Sequence, residues 1–423
     1  MKCLWITLAD PDPPRNGQFL YSRVLIDGLR SADIDIHVVG LARPRGIHKN
    51  GQYAEGVHWW LADHRWSADH QASSRWISLL SGLPQISAQT YTPPMRRLIA
   101  ERLNDGPWDA VVFDSICAAW ALSMVLSHYA HAAIRPKLIY LSHNHEETVA
   151  RAIAKTTRWG PKRGIREIDA LKVARLERWL VRTTDVVTSN SPDDCEKFRP
   201  RRADRRVEFL PPAYTGRRVA AREITADVPR RAIIVGSFDW IAKRISLEQF
   251  LKEADPLFAR AGIELFVVGS AEEGFLSRIR GEVTATRLTG RVEDIGGYMD
   301  HARLALVPDL LGGFKLKALD YAFNRLPMLA MAGTVPGMPL VPNEGILLFQ
   351  SHRALAEGVI AVIDDLALLN KIQTQAYVAC GDQFDGAVIG RRLARLMSSE
   401  EVSRTRPAVA AAWTKLGSVD KPA

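Results

Sequence analysis

The sequence predicts an α/β protein made of two successive parallel α/β domains. Short apolar runs rich in strand-forming residues alternate with helical patterns, and this alternation occurs in two separate series. Near residue 210, between the two series, lies a stretch with prolines, a glycine, dense charge and little periodicity. A length of 423 residues suits two or three domains. We therefore expect two domains joined by a hinge.

The first series predicts a domain over residues 1–212. Its opening reads as strand, loop, helix and strand, which is typical of the start of a parallel α/β sheet. A long charged helix is predicted at 164–183. The predicted strands are 2–8, 34–42, 109–114, 137–144 and 185–191, and the first helix is 19–32.

The hinge is predicted at 213–230, the second domain at 231–398 and a flexible tail at 399–423, where the apolar pattern is lost. Open α/β sheets bind ligands at the carboxyl ends of their strands, so we expect a cleft where the two sheets face each other. The predicted strands of this domain are 231–237, 263–270, 286–292, 303–309 and 327–333, and its helices are 246–261, 275–283, one from 295, and 314–325.

Cysteine usage and hydropathy indicate a cytoplasmic protein. The four cysteines have no pairing or metal spacing, which favours reduced thiols. The first apolar run ends at Asp10 and Pro11, too early for a secretory signal. No run of 18 apolar residues occurs, so we expect no membrane-spanning helix.

The positive charge is concentrated in one part of the chain. The formal net charge is +9, and residues 151–231 contain 21 Lys and Arg against 11 Asp and Glu. A basic surface of this kind attracts nucleic acid, anionic lipid or phosphorylated ligands. Nucleic-acid binding is disfavoured because no basic motif interleaved with aromatic residues accompanies the charge. A solvated helix face is the alternative.

A glycine and lysine stretch, PDLLGGFKLKALD at 308–320, follows a predicted strand and begins a helix. Gly312 and Gly313 let a backbone approach a ligand closely. A helix N-terminus favours anions, and Lys315 and Lys317 add positive charge there. Asp320 can accept hydrogen bonds from ribose or sugar hydroxyls. The stretch therefore predicts a seat for a diphosphate, with an ordinary glycine-rich turn as the alternative.

Two other loops follow predicted strands. The first loop has a single glycine, Gly17, and the chain has neither G-x-G-x-x-G nor G-x-x-x-x-G-K-[ST]. The sequence LSHNHEET at 141–148 contains His143, His145 and Glu146, but Val149 occupies the position where H-E-x-x-H needs its second histidine. We therefore predict no metal site there, and a satisfied or capping histidine is the simpler interpretation.

These stretches, in their order along the chain, resemble family 4 retaining glycosyltransferases of the GT-B fold. PPRNGQFLYSRVLIDGLRSADIDIHVVG resembles the first strand, glycine loop and helix of that family, and YLSHNHEE resembles its "sHN.E" strand end. LERWLVRTTDVVTSNSPDDCEKFR and VGSFDWIAKRISLEQFL are similar to two further elements. The most specific likeness is GYMDHARLALVPDLLGGFKLKALDYAFNRLPMLAMAGTVPGM, which is similar to "GgGiklKvLEamA.G.PVVat" and its flanks.

The resemblance implies transfer of a sugar from a nucleotide-diphosphate donor to a hydroxyl acceptor, with retention and without a metal or other cofactor. The donor would lie in the C-terminal domain and the acceptor in the N-terminal domain. His143 would lie near the donor sugar and Gly17 near the phosphates. The donor-binding residues implied by the likeness are Gly17, Lys243, Arg244, Gly312, Gly313, Phe314, Lys315 and Lys317, and the catalytic residues are His143 and Asp320.

One departure concerns a pair of glutamates that many members carry with seven residues between them. Here those positions are Gly312 and Asp320, so only the second keeps a carboxylate. The loss of the first puts sugar recognition in question. Two alternatives on the same fold are a sugar-nucleotide epimerase and a non-catalytic sugar-nucleotide-binding protein, and the missing carboxylate favours the second.

The expected biological role is synthesis of a surface polysaccharide or envelope glycan. The basic region 151–231 would then rest on an anionic membrane, at its inner face, and reach a lipid-linked acceptor. The segment 43–76 is rich in Trp and His and is a candidate for the acceptor side, because indole faces stack on sugar rings. Buried packing is the alternative use of those tryptophans.

Overall fold

The computed structural model describes residues 1–14, 16–63, 68–157, 159–201, 206–238, 241–310 and 314–398. Two compact units emerge from the contacts of the chain. The first contains Met1–Ala213 together with the described residues from Asp385 onward, and the second contains Tyr214–Phe384.

A parallel sheet forms the centre of the first unit. Its strand order is β3-β4-β2-β1-β5-β6-β7-β8, and only the β3–β4 pair is antiparallel among these strands. Residues of β1 alternate between two apolar clusters, so the strand is buried on both faces, as in sheets covered by helices on each side. The strands are β1 (Lys2–Ala9), β2 (Asp35–Leu41), β3 (Gln52–Ala54), β4 (Val57–Ala62), β5 (Ala110–Asp114), β6 (Lys137–Ser142), β7 (Val186–Ser189) and β8 (Arg206–Phe209).

Some helices of the first unit begin with a residue whose side chain caps the helix. Asn16 accepts a hydrogen bond from the backbone N–H of Phe19, and Thr92 accepts one from Met95. The helices are α1 (Gly17–Arg30), α2 (Ala68–Ser81), α3 (Gln85–Ala88), α4 (Pro93–Asn104), α5 (Ala121–His128), α6 (Glu146–Thr156), α7 (Pro161–Thr183) and α8 (Pro192–Phe198).

The second unit has its own parallel sheet, in the order β11-β10-β9-β12-β13-β14. Its core is a separate apolar cluster around β9, β10 and β12 and the helices that cover them. The strands are β9 (Arg231–Val235), β10 (Glu264–Val268), β11 (Thr286–Gly290), β12 (Leu304–Val307), β13 (Met328–Met331) and β14 (Leu347–Phe349). The helices are α9 (Ile241–Ala261), α10 (Glu273–Arg280), α11 (Ile295–Asp300), α12 (Leu316–Phe323), α13 (His352–Val362) and α14 (Leu366–Cys380).

These two parallel α/β series confirm the fold class that the sequence predicts. Each predicted strand of both series corresponds to an observed one, with ends shifted by a few residues. The charged helix predicted at 164–183 begins earlier, at Pro161, because proline is well placed in a first helical turn. The residues expected to form a tail, 399–423, lie outside the described part of the chain.

The last described helix, α15 (Gly386–Ser398), differs from the expected domain limits. The sequence pattern places residues up to 398 in the second domain, but α15 packs against α1 in the first unit. Its buried side chains Ile389, Leu393 and Leu396 join the cluster that contains Trp5. The segment expected to be a hinge, 213–230, lies almost entirely within the second unit.

The Trp- and His-rich segment 43–76 contributes a short hairpin, β3 and β4, which the sequence analysis did not predict. Trp59 is fully buried and stacks on His48, with ring centroids 3.7 Å apart. This tryptophan therefore has the packing role that was the alternative to acceptor contact. No described helix is long and apolar enough to cross a membrane.

The α1–α15 crossing depends on two glycines, and it yields a stability prediction. A Cβ atom on Gly390 would lie 2.1 Å from the backbone of Gly28. We expect Gly390→Ala to lower the free energy of unfolding by about 1–3 kcal/mol, because the helices must move apart. Denaturant unfolding monitored by circular dichroism measures this change.

Gly164→Ala is the matched control, because a Cβ atom there meets nothing within 4 Å on the exposed side of α7. It should be neutral or stabilising by about 0.5–1 kcal/mol through helix propensity. Equal effects of the two substitutions would contradict a tight crossing.

Candidate functional site

Lysines and carboxylates gather at the carboxyl ends of β9 and β12 in the second unit. Asp309 lies two residues after β12, and Lys243 lies in the first turn of α9, which follows β9. Lys315 is the N-cap residue of α12, and Lys317 lies in the first turn of that helix. Parallel pairing brings these chain segments to one edge of the sheet.

The Asp309 carboxylate is the centre of this cluster. Lys317 forms an ion pair with it, and both side chains are largely buried. Burial by itself would raise the pKa of Asp309, but Lys317, Lys315 and Lys243 act in the opposite direction, so its pKa is lowered. Asp309 is therefore ionised, and the three ammonium groups exceed its single negative charge.

Lys315 is the most buried of the three lysines. Its side chain is only 9% exposed, and burial lowers its pKa to about 8, opposed by Asp309 and assisted by the charges of Lys317 and Lys243. A lysine cannot cap a helix, because it has no acceptor for the first N–H groups of α12. The start of α12 thus combines a helix N-terminus with surplus positive charge, which is a favourable environment for an anion.

Asp320 lies one turn further along α12 and faces a different set of groups. Burial raises its pKa to about 6, and the nearby Tyr214 hydroxyl partly offsets this shift. The Tyr214 ring stacks on Phe323 with centroids 4.6 Å apart. Tyr214 comes from the segment expected to be a hinge, and nothing in the local pattern around it indicated a contact with Asp320.

The remaining residues of the predicted diphosphate seat differ in the contacts that they make. Phe314 packs against Phe384, with ring centroids 5.7 Å apart. Arg244 forms an ion pair with Glu272 at 2.9 Å, whereas Lys243 contributes to the field around Asp309. Gly312 and Gly313 lie outside the described residues. The structure thus brings together Lys243, Lys315 and Lys317, and it gives Arg244 a carboxylate partner of its own.

In the first unit, His143 lies directly after β6 and is buried. Its Nε2 atom is 2.6 Å from Oδ1 of Asp114, the last residue of β5. The other carboxylate oxygen of Asp114 accepts hydrogen bonds from Trp5 Nε1 at 3.0 Å and Thr7 Oγ1 at 2.7 Å. Adjacent strands β1, β5 and β6 therefore fix the position of the His143 ring.

Asp114 is a candidate functional residue that sequence reasoning missed. The sequence signal for Asp114 is modest, since it is a carboxylate at the end of an apolar strand. Its partner, His143, lies 29 residues away in the sequence. Ser115, the next residue, has a φ of 71°, which is unusual for a residue with a side chain. Such strained positions concentrate at functional sites. Tyr21 meets the edge of the His143 ring with centroids 5.1 Å apart.

His145 has the capping role that was the simpler interpretation. It is the N-cap residue of α6, and its Nδ1 atom accepts from the backbone N–H of Thr148 at 3.3 Å. Glu177 of α7 accepts from the N–H groups of Glu146 and Glu147, both at 2.9 Å. Burial raises the pKa of Glu146 to about 7 and that of Glu177 to about 8.

Three groups of histidines and carboxylates among the described residues come close enough to be tested as metal sites. In the group Asp35, His37 and His58, the Nδ1 atom of His37 accepts from Trp60 Nε1 at 3.2 Å, so a neutral ring carries its proton on Nε2, the atom nearer Asp35. In the second group, the carboxylate of Asp12 forms an ion pair with Arg23. In the third, the carboxylate of Glu177 accepts a hydrogen bond from a backbone N–H group. His143 belongs to none of the three.

Gly17 is the first residue of α1 and follows the loop after β1. The helix start is capped by Asn16, whose side chain accepts from Phe19 N at 3.0 Å. The described contacts assign Gly17 no ligand role.

Residues 229–365 match the family model described as Glycosyl transferases group 1, which confirms the resemblance to group 1 glycosyl transferases over that part of the chain. The matched part includes the whole lysine cluster and Asp320. No curated protein sequence matches this chain significantly.

Solved structures show the fold. Sucrose-phosphate synthase from Thermosynechococcus elongatus is similar with a TM-score of 0.65 at 17% identity, covering 93% of this chain and 98% of that one. WaaG, a glycosyltransferase involved in lipopolysaccharide biosynthesis, has a TM-score of 0.59 at 14% identity, covering 94% and 100%. Anabaena HepE in complex with UDP and glucose has a TM-score of 0.58 at 14% identity, with the same coverage. The chain thus has the GT-B fold of glycosyltransferases.

The Asp309 cluster yields a prediction about stability and pH. Asp309→Asn leaves three buried or partly buried ammonium groups without their shared counter-charge. We expect it to reduce the free energy of unfolding of the second unit by about 3 kcal/mol at pH 7. Thermal unfolding at several pH values measures the change.

The pKa of Asp309 is lower in the folded protein, so its stabilising effect is present above the ordinary carboxyl pKa and is lost as the pH falls through the folded value. The difference between the variant and the wild type should therefore shrink in acid. Asp382→Asn, at an exposed carboxylate of the same unit, should leave stability unchanged. A difference that persists undiminished at low pH would contradict this account.

Proposed function

We propose that this protein is a retaining glycosyltransferase that moves a sugar from a nucleotide-diphosphate donor to a hydroxyl acceptor. The observation that carries the proposal is the group of three lysines around Asp309 at the start of α12. This group lies within the part of the chain that matches the group 1 glycosyl transferases. A uridine diphosphate sugar is the proposed donor class, because HepE binds UDP and glucose on the same fold.

The proposed chemistry follows from the charges. When the bond between the anomeric carbon and the diphosphate breaks, negative charge grows on the leaving oxygen. Positive groups that are already in place stabilise that charge more than they stabilise the bound donor. Lys243, Lys315 and Lys317 would supply this positive charge, together with the N-terminus of α12. We accordingly propose that transfer requires no divalent cation.

The two other candidate residues would act on hydroxyl groups. The carboxylate of Asp320 would accept hydrogen bonds from the ribose hydroxyls. The nearby Tyr214 would help to orient this carboxylate. His143 would hydrogen-bond a hydroxyl of the donor sugar. Asp114 would act as a positioning residue, since its carboxylate holds the His143 ring in one orientation.

The proposed biological role is synthesis of an envelope glycan or surface polysaccharide in the cytoplasm, at the inner face of a membrane. Support comes from the similarity in fold to WaaG, which is involved in lipopolysaccharide biosynthesis. It also comes from the excess of Lys and Arg in residues 151–231, which suits contact with anionic lipid around a lipid-linked acceptor.

Donor binding is the first test. Calorimetric titration with UDP-glucose in the presence of EDTA should give saturable binding. Replacing Lys315 or Lys317 by Met should weaken it by about tenfold or more, as expected for loss of a charged hydrogen bond. Its pH dependence should have two limbs. Affinity should fall above about pH 8, as Lys315 loses its proton, and below about pH 6, as Asp320 gains one.

Conservative variants separate the two limbs. Lys315→Arg keeps its charge and should remove the alkaline limb, and Asp320→Asn should remove the acid limb. Lys252→Met is the matched control, because Lys252 is an exposed lysine on α9. Absence of binding by a folded protein, to UDP-glucose and to other nucleotide sugars, would overturn the proposal. Binding with only hydrolysis or rearrangement of the donor would favour an epimerase, and binding without any reaction would favour a non-catalytic binding protein.

The His143–Asp114 pair gives a separate prediction on turnover. In Asp114→Asn, the amide can still accept from Trp5 and Thr7, but it presents an N–H group to His143 and so forces the other imidazole tautomer. We expect kcat for UDP-glucose turnover to fall by about 10²-fold or more with the fold intact. The Kd for UDP should not change, because the lysine cluster is untouched. Asp63→Asn, at an exposed position, is the control, and a kcat equal to that of the wild type would remove His143 from the mechanism.

A further inference from the structure

The N-terminal half of α7 is exposed to an unusual degree for a helix in a packed unit. From Pro161 to Ile168 no residue is buried, and the first buried one is Ala170. Its apolar side chains Ile165 and Ile168 are each more than half exposed. These side chains are three residues apart and therefore lie on one side of the helix. These two side chains therefore gain little stabilisation from burial in the core of the first unit.

Helix α2 presents a second row of exposed apolar side chains. Trp76 is 69% exposed and Leu80 is 83% exposed, and Leu79 between them is more than half exposed. Exposure of one large apolar residue is ordinary, but a contiguous set marks a surface that is covered in use.

The two rows meet in a groove of about 690 Å³ between α2 and α7, which we name the α2–α7 groove. Trp76, Leu79, Ile165 and Ile168 line it. Its walls are joined by polar contacts. Lys172 donates to the backbone carbonyl of Ser78, and Asp169 Oδ1 accepts from the N–H of Gln85 at 2.7 Å. The groove is therefore a built feature of the first unit.

Cationic side chains surround these apolar residues. The groove is lined by Arg75, Lys162, Arg166 and Lys172, against the single carboxylate of Asp169. That carboxylate already accepts a backbone hydrogen bond. The surface thus combines exposed indole and aliphatic groups with an excess of positive charge, which is the composition of protein surfaces that rest in a lipid interface.

We propose that the α2–α7 groove is the surface by which this protein docks on an anionic lipid bilayer. Trp76 and the aliphatic residues enter the headgroup region, and the four cations contact lipid phosphates. A second copy of the chain fits less well, because a two-fold interface would bring the same positive charges against each other. The inference rests on the proposed function and deepens it, since it identifies the membrane-facing surface of the enzyme. Part of that surface comes from α2, which lies outside the basic segment 151–231.

Co-sedimentation with vesicles tests the proposal. The full-length protein should pellet with phosphatidylcholine vesicles that contain phosphatidylglycerol, and binding should weaken with salt and with removal of phosphatidylglycerol. Lys162→Glu with Arg166→Glu should reduce the bound fraction at least tenfold. Trp76→Ser with Ile165→Ser should reduce it to a similar degree. All four side chains are exposed, so these variants should fold.

Matched controls make the same kinds of substitution at exposed positions outside the groove. Lys252→Glu with Lys371→Glu makes the same change in net charge at exposed positions of the second unit. Ile134→Ser with Val378→Ser removes two apolar side chains that are 77% and 69% exposed. Both controls should bind vesicles as the wild type does.

Three outcomes would overturn the proposal. These are no binding to either vesicle, equal loss in the controls, and a dimer in sedimentation velocity that Trp76→Ser abolishes. Titration with UDP-glucose keeps this result separate from the proposed transferase function. The groove variants should bind the donor normally, and vesicle binding without any donor binding would refute the transferase proposal alone.

Discussion

Parallel pairing of the central strands is the constraint on which the chemistry of both units depends. Neighbouring strands run in the same direction, so the loops that follow them emerge at the same edge of the sheet. In the first unit this edge receives Asp114 and His143 from adjacent strands. In the second unit it receives Asp309 and the start of α12 beside the first turn of α9. Residues far apart in sequence thereby become neighbours.

At both edges, the partners of a buried carboxylate decide its use. An ionised group in a protein interior is costly unless charges or hydrogen bonds compensate it. Asp114 is compensated by donors from Trp5, Thr7 and His143, so the group is locally complete and suited to holding a ring in place. Asp309 is over-compensated by three lysines, so its surroundings stay positive and suit a diphosphate.

The basic residues of the segment 151–231 have different structural roles. Some of its arginines bind within the second unit, as Arg222 does to backbone carbonyls near Ala302 and Arg230 does to Asp364. Others, such as Arg166, line the α2–α7 groove beside exposed apolar side chains. The charge excess alone did not distinguish these two uses. The distinction depends on which arginines have an acceptor within the fold.

The sequence by itself determined the two α/β series, the helix that begins after Gly313, and the placing of Lys315 and Lys317 at its start. Those features are local, because strand and helix periodicity and the first turn of a helix are set by residues close together in the chain. Tertiary structure decided the pairing of Asp114 with His143, the meeting of Tyr214 with Asp320, and the return of α15 to the first unit. It also decided the exposure of Trp76 and Ile165 in one groove. These depend on which distant segments pack together, and no local pattern of residues carries that information.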